Sequence, residues 1–191
     1  MNQEEFLQET GLDKVPVYWD RRYTKNIDKL SKPIYTMKLE EDVEVVLRDG
    51  TKTYVDIYHP AEIDRAPALI AYSAYSKKMQ RMRHGALPGS SNYFDHSLEA
   101  GDMEFFVTRG YTYIIPDGRG IGRSEGEYLG VYNPQEQEDL YDYIEWAGTE
   151  CQWSTEKVAL VGYSYFGIIQ ALTAALQPPH LTCIMPLSYT D

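Results

Sequence analysis

Apolar positions alternate over residues 35–48, at Val43, Val45 and Leu47, and the alternation stops at Asp49-Gly50. A second stretch, Thr53 to Tyr58, follows at once and ends at His59-Pro60. This pattern predicts an antiparallel hairpin turning at Asp49-Gly50. The pattern then changes. Ala68–Tyr72 and Tyr111–Ile115 are short continuous apolar runs, typical of buried strands. Between them lie a polar connection over residues 76–96, with Gly85, Pro88 and Gly89, and a predicted helix over roughly 97–109. Gly110 is placed to close that helix in a left-handed conformation.

A second helix is predicted from Asn133. Asparagine is a good N-cap, Pro134 suits the first helical position, and Glu136 stands where a capping box needs a carboxylate. Leu140, Tyr143, Ile144 and Ala147 form its apolar stripe. A strand to Val161, a helix to about Gln177, a stop at Pro178-Pro179 and a strand from Leu181 to Leu187 complete the pattern. The order is a hairpin, then strands alternating with helices. It predicts the first part of an open α/β sheet, with parallel inner strands, helices on both faces and about six strands. Residues 1–34 are polar and weakly periodic. They read as a peripheral arm ahead of a domain portion at 35–191.

Composition narrows the function. The chain has 191 residues with 43% hydrophobic, enough for one sizeable core. A net charge of -11 argues against a nucleic-acid partner. Cys151 and Cys183 form no CxxC pair, so neither a thiol-rich metal site nor a disulfide framework is expected, and a reducing, cytoplasmic setting is the default. The acidic start MNQEEFLQETGL has no secretory h-region, and no apolar run approaches a membrane span.

The candidate chemistry is concentrated at Gly162-Tyr163-Ser164-Tyr165-Phe166-Gly167, directly after the apolar run Val158–Val161. A glycine-flanked serine between a strand and a helix is the context of a nucleophile elbow, which lifts one hydroxyl above the sheet edge. Ser164 is the candidate nucleophile. The backbone N–H of Tyr165, at the start of a helix, is the candidate oxyanion donor. Tyr75 follows the strand Ala68–Tyr72, in the loop that supplies the second donor in such sheets, and its phenol is a candidate for that role; a partly buried surface tyrosine reads equally well from position alone. The stretch Asp117–Gly126 contains GRGIG but lacks both the GxGxxG context and a GK[ST]. It reads as a compact loop fixed by Asp117 and Arg119. Lys77, Lys78, Arg81 and Arg83 read as a solvated basic loop face.

The histidines are His59, His84, His96 and His180, none with metal-ligand spacing. In this kind of sheet the triad order is serine, acid, histidine, and only His180 follows Ser164. It lies beyond a helix of about a dozen residues, roughly 18 Å long, at the opposite end of the sheet. Asp191 ends the last strand on the correct rim but has no base to orient.

These residues together resemble the cocaine-esterase and X-Pro dipeptidyl-peptidase group of α/β-hydrolases, over about residues 38–191. The group's elbow, GxSYxG, matches Gly162 to Gly167, with the second glycine at +3. Its DxRGxGxSxG loop matches Asp117, Arg119, Gly120, Gly122, Ser124 and Gly126. Its opening RDG…DIYxP matches Arg48-Asp49-Gly50, Asp56-Ile57-Tyr58 and Pro60. Trp153-Ser154 resembles its lead-in to the elbow strand, with Glu156 where a glycine is usual. Its NPY segment appears as Ser73-Ala74-Tyr75, so the resemblance implies an oxyanion-hole hydroxyl on Tyr75.

The resemblance further implies an ester, amide or X-Pro peptide substrate and no metal or organic cofactor. It implies a helical cap, a catalytic aspartate and histidine, and a C-terminal jelly roll beyond these 191 residues. The chain is thus expected to be the N-terminal part of a longer serine hydrolase, a homo-oligomer being open. The rival expectation is a catalytically incomplete remnant that acts by binding or regulation.

Overall fold

A computed structural model describes residues 31–81 and 99–187, together with the single helical residue Gln8. Most of the predicted arm, Arg83, His84, His96 and Asp191 lie outside the described residues. Strands β1 (Met37–Val46) and β2 (Lys52–Pro60) form the hairpin. Its turn is at Asp49-Gly50, with Gly50 at φ 87°. The chain continues through β3 (Ala66–Ile70), the short helices α1 (Lys77–Gln80) and α2 (Met103–Val107), β4 (Thr112–Asp117), α3 (Pro134–Thr149), β5 (Ser154–Tyr163), α4 (Tyr165–Ala174) and β6 (Leu181–Leu187).

The strands form one sheet in the order β1-β2-β4-β3-β5-β6. The pairs β1/β2 and β2/β4 are antiparallel, and β4/β3, β3/β5 and β5/β6 are parallel. This is the expected hairpin followed by a parallel sheet. Because side chains alternate across a strand, each inner strand serves two cores. Ala68, Ile70, Ile114, Val158 and Leu160 pack with Leu140, Tyr143, Ile144 and Ala147 of α3. Leu69, Tyr113, Ile115 and Val161 pack on the other face with Met103 and Val107 of α2. The continuous apolar runs are therefore the sequence signature of strands covered on both faces.

Helix α3 starts as predicted. Asn133 Oδ1 accepts from the Glu136 N–H at 3.0 Å, and Pro134 occupies the first turn. The reciprocal half of the capping box differs. Glu136 Oε2 accepts from the N–H of Tyr132, not from Asn133, at 2.6 Å. Its other oxygen is engaged by Tyr165, which turns the carboxylate away from the cap.

Two expectations are corrected. Helix α2 begins at Met103, not near 97, because Gly101 adopts φ 95° and Asp102 caps the helix by accepting from the Phe105 N–H at 3.0 Å. In the segment after β3, Lys78 is exposed as expected, but Lys77 and Arg81 do not belong to a solvated basic face. Lys77 is 2% exposed. Its Nζ donates to Asp42 and, at 2.7 Å, to the fully buried Asp56. Arg81 pairs with Glu41 and Asp56. Burial of the lysine is tolerated because its charge is matched and its donors are used.

Candidate active site

Ser164 stands between β5 and α4 at the carboxyl end of the parallel strands. Its backbone adopts φ 57°, ψ -115°. Such a conformation costs a non-glycine residue on the order of 1–3 kcal/mol and persists only where its surroundings impose it. The neighbours here do so. A Cβ on Gly162 would come within 2.1 Å of the Phe166 Cβ, so the chain passes there only as glycine. A Cβ on Gly167 would lie 2.7 Å from the Leu187 carbonyl oxygen. The glycine at +3 thus lets α4 sit against β6, and the Ser164 N–H donates to that same carbonyl at 3.0 Å. Gln170 completes the seam, accepting from the Met185 N–H and donating to the Phe166 carbonyl.

Aromatic rings surround this turn. Tyr75 lies 5.6 Å from the ring of Tyr165 and 6.3 Å from that of Phe166. Tyr132 stacks obliquely on Tyr165 at 4.6 Å, and the Tyr128 hydroxyl is 3.5 Å from the Tyr165 hydroxyl. The structure therefore brings the three candidate residues, Ser164, Tyr165 and Tyr75, to one rim. Tyr75 is held there by its own loop. Its N–H donates to Ser73 Oγ at 3.0 Å, and the Lys77 N–H donates to Asp117 Oδ1 at 2.7 Å. Burial raises the phenol of Tyr75, with smaller upward pushes from Glu99 and Tyr128.

The stretch after β4 is the compact loop that the sequence suggested. Arg119 grips both oxygens of Asp139 at 2.9 and 2.8 Å and reaches Thr51 and Asp49 through its remaining amino group. Ser124 Oγ and the Tyr143 hydroxyl both donate to the Asp117 carbonyl. A Cβ at Gly122 would overlap the Asp117 carboxylate, at 2.1 Å. Carboxylates therefore fill the contacts that a phosphate loop would leave open. Burial raises the Asp117 carboxyl above its ordinary range, against the Lys77 N–H and charge.

Two groups at the rim carry no sequence signal for a place beside the serine. Glu136 Oε1 accepts from the Tyr165 hydroxyl at 2.5 Å, and burial raises its carboxyl. Glu99 accepts the Tyr163 N–H through its backbone carbonyl at 3.0 Å. Only the packed structure brings either beside the serine. The described histidines are elsewhere. His180 Nδ1 lies 2.7 Å from Glu145 Oε2, ahead of β6, and its carbonyl accepts from Val158. Val158 and Ser164 are six positions apart along β5, about 20 Å. His59 stacks on Trp153 at 3.8 Å, at the same far rim. Among the described residues no group of three or more His, Cys, Asp or Glu could hold a metal ion.

The sequence profile of the X-Pro dipeptidyl-peptidase (S15 family) matches residues 49–191, three quarters of the chain and every element from the hairpin turn onward. The chain belongs to this family. Among its relatives is the cocaine esterase of Rhodococcus sp. (strain MB1 Bresler), 30% identical over 145 residues, which are 76% of this chain and 22% of that protein. A CocE/NonD family hydrolase from Staphylococcus aureus superposes with a TM-score of 0.62 at 29% identity, over 78% of this chain and 27% of that one. An α-amino acid ester hydrolase superposes with a TM-score of 0.61 at 27% identity, over 82% and 26%. The fold is thus the α/β-hydrolase sheet, present in part. The chain spans about a quarter of the length of these relatives. Among the described residues no helix is long and apolar enough to cross a membrane.

Proposed function

We propose that these residues carry the nucleophile and oxyanion hole of a serine hydrolase acting on esters or amides, of acyl-esterase or X-Pro dipeptidyl-peptidase type. The observation that carries this reading is Ser164 itself, held at positive φ between a buried strand and a helix by two glycines whose Cβ atoms have no room. Ser164 Oγ attacks the acyl carbonyl. The carbon–oxygen double bond opens, and the oxyanion is met by the Tyr165 N–H and the Tyr75 hydroxyl. The serine proton passes to a general base, and collapse of the intermediate expels the alcohol or amine, leaving an acyl-enzyme for water to hydrolyse. Base and acid are assigned to residues outside 1–191: the order serine, acid, histidine leaves only His180 after Ser164, and the described histidines, His59 and His180, are at the opposite rim. No metal or organic cofactor is required, and the protein works in the cytoplasm.

The test is Ser164→Ala in the full-length protein bearing these residues. Loss of ester and aminoacyl-amide hydrolysis is expected, and full retention would sink the assignment. The distance of both described histidines favours a second reading for the 191 residues alone, a non-catalytic binding or regulatory remnant. It predicts no labelling of the 191-residue chain by a fluorophosphonate, which needs an activated serine.

A further inference from the structure

Helix α1 is a single turn of four residues, too short to hold its own shape. Its two buried residues, Lys77 and Gln80, are both polar. Polar contacts at these two positions therefore fix the turn, not an apolar face. Lys77 is anchored twice. Its N–H donates to Asp117 Oδ1 at 2.7 Å, at the end of β4. Its Nζ donates to Asp42 of β1 and, at 2.7 Å, to Asp56 of β2. Both carboxylates are themselves held. The Asp42 N–H, at the bulge of β1, donates to Asp56 Oδ1 at 3.1 Å. Arg123 donates to Asp42 Oδ2 at 2.7 Å, and Arg81 donates to Asp56 Oδ2. Gln80 links the same turn to the serine. Its Oε1 accepts from the N–H groups of Glu99 and Ala100 at 3.2 and 3.1 Å, and the Glu99 carbonyl accepts from Tyr163, the residue before Ser164.

Tyr75 stands two residues ahead of Lys77. Two residues of chain span at most about 7 Å, so whatever fixes Lys77 limits where Tyr75 can go. The Tyr75 N–H is held from the other side, by Ser73 Oγ at 3.0 Å. The Tyr75 ring is 38% exposed, and its centre lies 5.6 and 6.3 Å from those of Tyr165 and Phe166. A ring so exposed owes much of its placement to its backbone, and an oxyanion donor must be placed before the reaction begins. An aliphatic side chain would fill the Lys77 position without the desolvation that a buried ammonium incurs. The lysine adds what an aliphatic chain lacks, a fixed point shared by the hairpin, β4 and the Tyr75 loop.

We propose that Lys77 is a positioning residue for the oxyanion hole: its ammonium, bound to Asp42 and Asp56, holds the Tyr75 hydroxyl where charge develops during attack by Ser164. The inference rests on the serine-hydrolase reading above and deepens it. Lys77 acts through Tyr75 and not on the substrate. Removing the ammonium frees the Tyr75 loop from the hairpin, and a displacement of about 1 Å in such a group costs on the order of a hundredfold in rate.

The experiment is a double-mutant cycle in the full-length protein: wild type, Tyr75→Phe, Lys77→Met and the two substitutions combined. The substrate is p-nitrophenyl acetate or an X-Pro p-nitroanilide, whichever the wild type turns over. Tyr75→Phe should lower kcat by about 10²–10³-fold, the scale of one oxyanion donor. Lys77→Met should lower kcat and kcat/KM by the same factor, about tenfold or more, as expected for a contact made only in the transition state. Added to Tyr75→Phe, it should change kcat by no more than about twofold, because the hydroxyl it positions is gone. Lys77→Arg keeps the charge but not the fit, and it gives the same cycle with a smaller loss if Lys77→Met does not fold. An unchanged kcat in a folded Lys77 variant overturns the proposal and leaves the hydrolase reading standing. So does an equal loss with and without the Tyr75 hydroxyl. If neither Lys77 variant folds, Lys77 serves stability alone, which also overturns the proposal. An unchanged kcat in Tyr75→Phe removes the second donor and the proposal with it, while Ser164→Ala still tests the nucleophile. Turnover of neither substrate by wild type overturns the hydrolase reading and the proposal together.

Discussion

The hydroxyl of Tyr165 and the carboxylate of Glu136 meet at 2.5 Å beneath the serine turn, linking α3 to α4. The two ends of Tyr165 therefore have separate tasks. Its phenol is locked to α3, and its backbone N–H, at the first position of α4, is the candidate oxyanion donor. Glu136 in turn holds the N–H of Tyr132, a residue at φ 55° whose ring packs on Tyr165. One buried carboxylate thus sets the position of two of the rings around Ser164.

Replacing Tyr165 by phenylalanine keeps the backbone N–H and the ring but takes the donor from Glu136. A buried acceptor left without its partner costs about 1–3 kcal/mol. Tyr165→Phe should lower the unfolding free energy by that amount, read as a lower urea midpoint with the slope of the transition unchanged. An unchanged midpoint would mean that the Glu136 carboxylate finds another donor.

Glu136 also carries a pH signature. Burial raises its carboxyl above the ordinary 4.5, against hydrogen bonds from Tyr165 and Tyr132. A carboxyl with a raised folded pKa holds its proton more tightly in the folded state. Its contribution to stability is full below about pH 4.5 and is lost as pH rises through the folded value. Glu136→Gln has no such dependence. The stability of wild type relative to this variant should fall from about pH 4.5 upward and then level off. Urea unfolding from about pH 4 to 8 measures it, and a gap that moves in favour of wild type with rising pH would contradict the assignment.

Local patterns made the hairpin turn, the α3 cap at Asn133, the Leu140–Ala147 stripe and the serine turn legible in the sequence. Each depends on residues within a few positions of one another. What was illegible depends on distant pairs. Lys77 reads as solvated because its matching carboxylates lie 35 and 21 positions away, at Asp42 and Asp56. The Glu136–Tyr165 contact spans 29 positions. The sequence pattern predicts too long a helix α2 because Gly101 and Asp102 divide an otherwise helix-forming run. Glu99 has no motif at all, and only the packing of its backbone on Tyr163 shows where it lies.

The two glycines of the serine turn should respond differently from the hairpin glycine. Gly162 has φ 147°, with the Phe166 Cβ 2.1 Å from where a methyl would stand, and Gly167 faces the Leu187 carbonyl oxygen at 2.7 Å. Gly50 has φ 87° with open space around it. Gly50→Ala should cost about 1 kcal/mol, from the backbone alone. Gly162→Ala combines backbone strain with an overlap and should cost about 3 kcal/mol or more. Gly167→Ala has only the overlap, about 1–3 kcal/mol, and pushes α4 away from β6. Chemical denaturation of the three variants orders them, and equal costs would show that the turn yields.

Arg119 offers the sharpest electrostatic test. It grips both oxygens of Asp139, which is 2% exposed, and its remaining amino group meets Thr51 and Asp49. Arg119→Met leaves Asp139 buried without its counter-charge, a loss of about 3–5 kcal/mol. Arg119→Lys keeps the charge but cannot span both carboxylate oxygens, so a smaller loss, about 1–3 kcal/mol, is expected. Asp49 reports the same change independently. The Arg119 hydrogen bond, with help from Thr51, holds its carboxyl at about 2. A depressed carboxylate contributes stability that is present above its ordinary 3.8 and is lost as pH falls through the folded value. In Arg119→Met the Asp49 carboxyl should move back toward 3.8 and that acid-side loss should shrink. Titration of Asp49 by carboxyl-carbon NMR reads the shift directly. An unmoved Asp49 would mean that Thr51 and the turn, not Arg119, hold it.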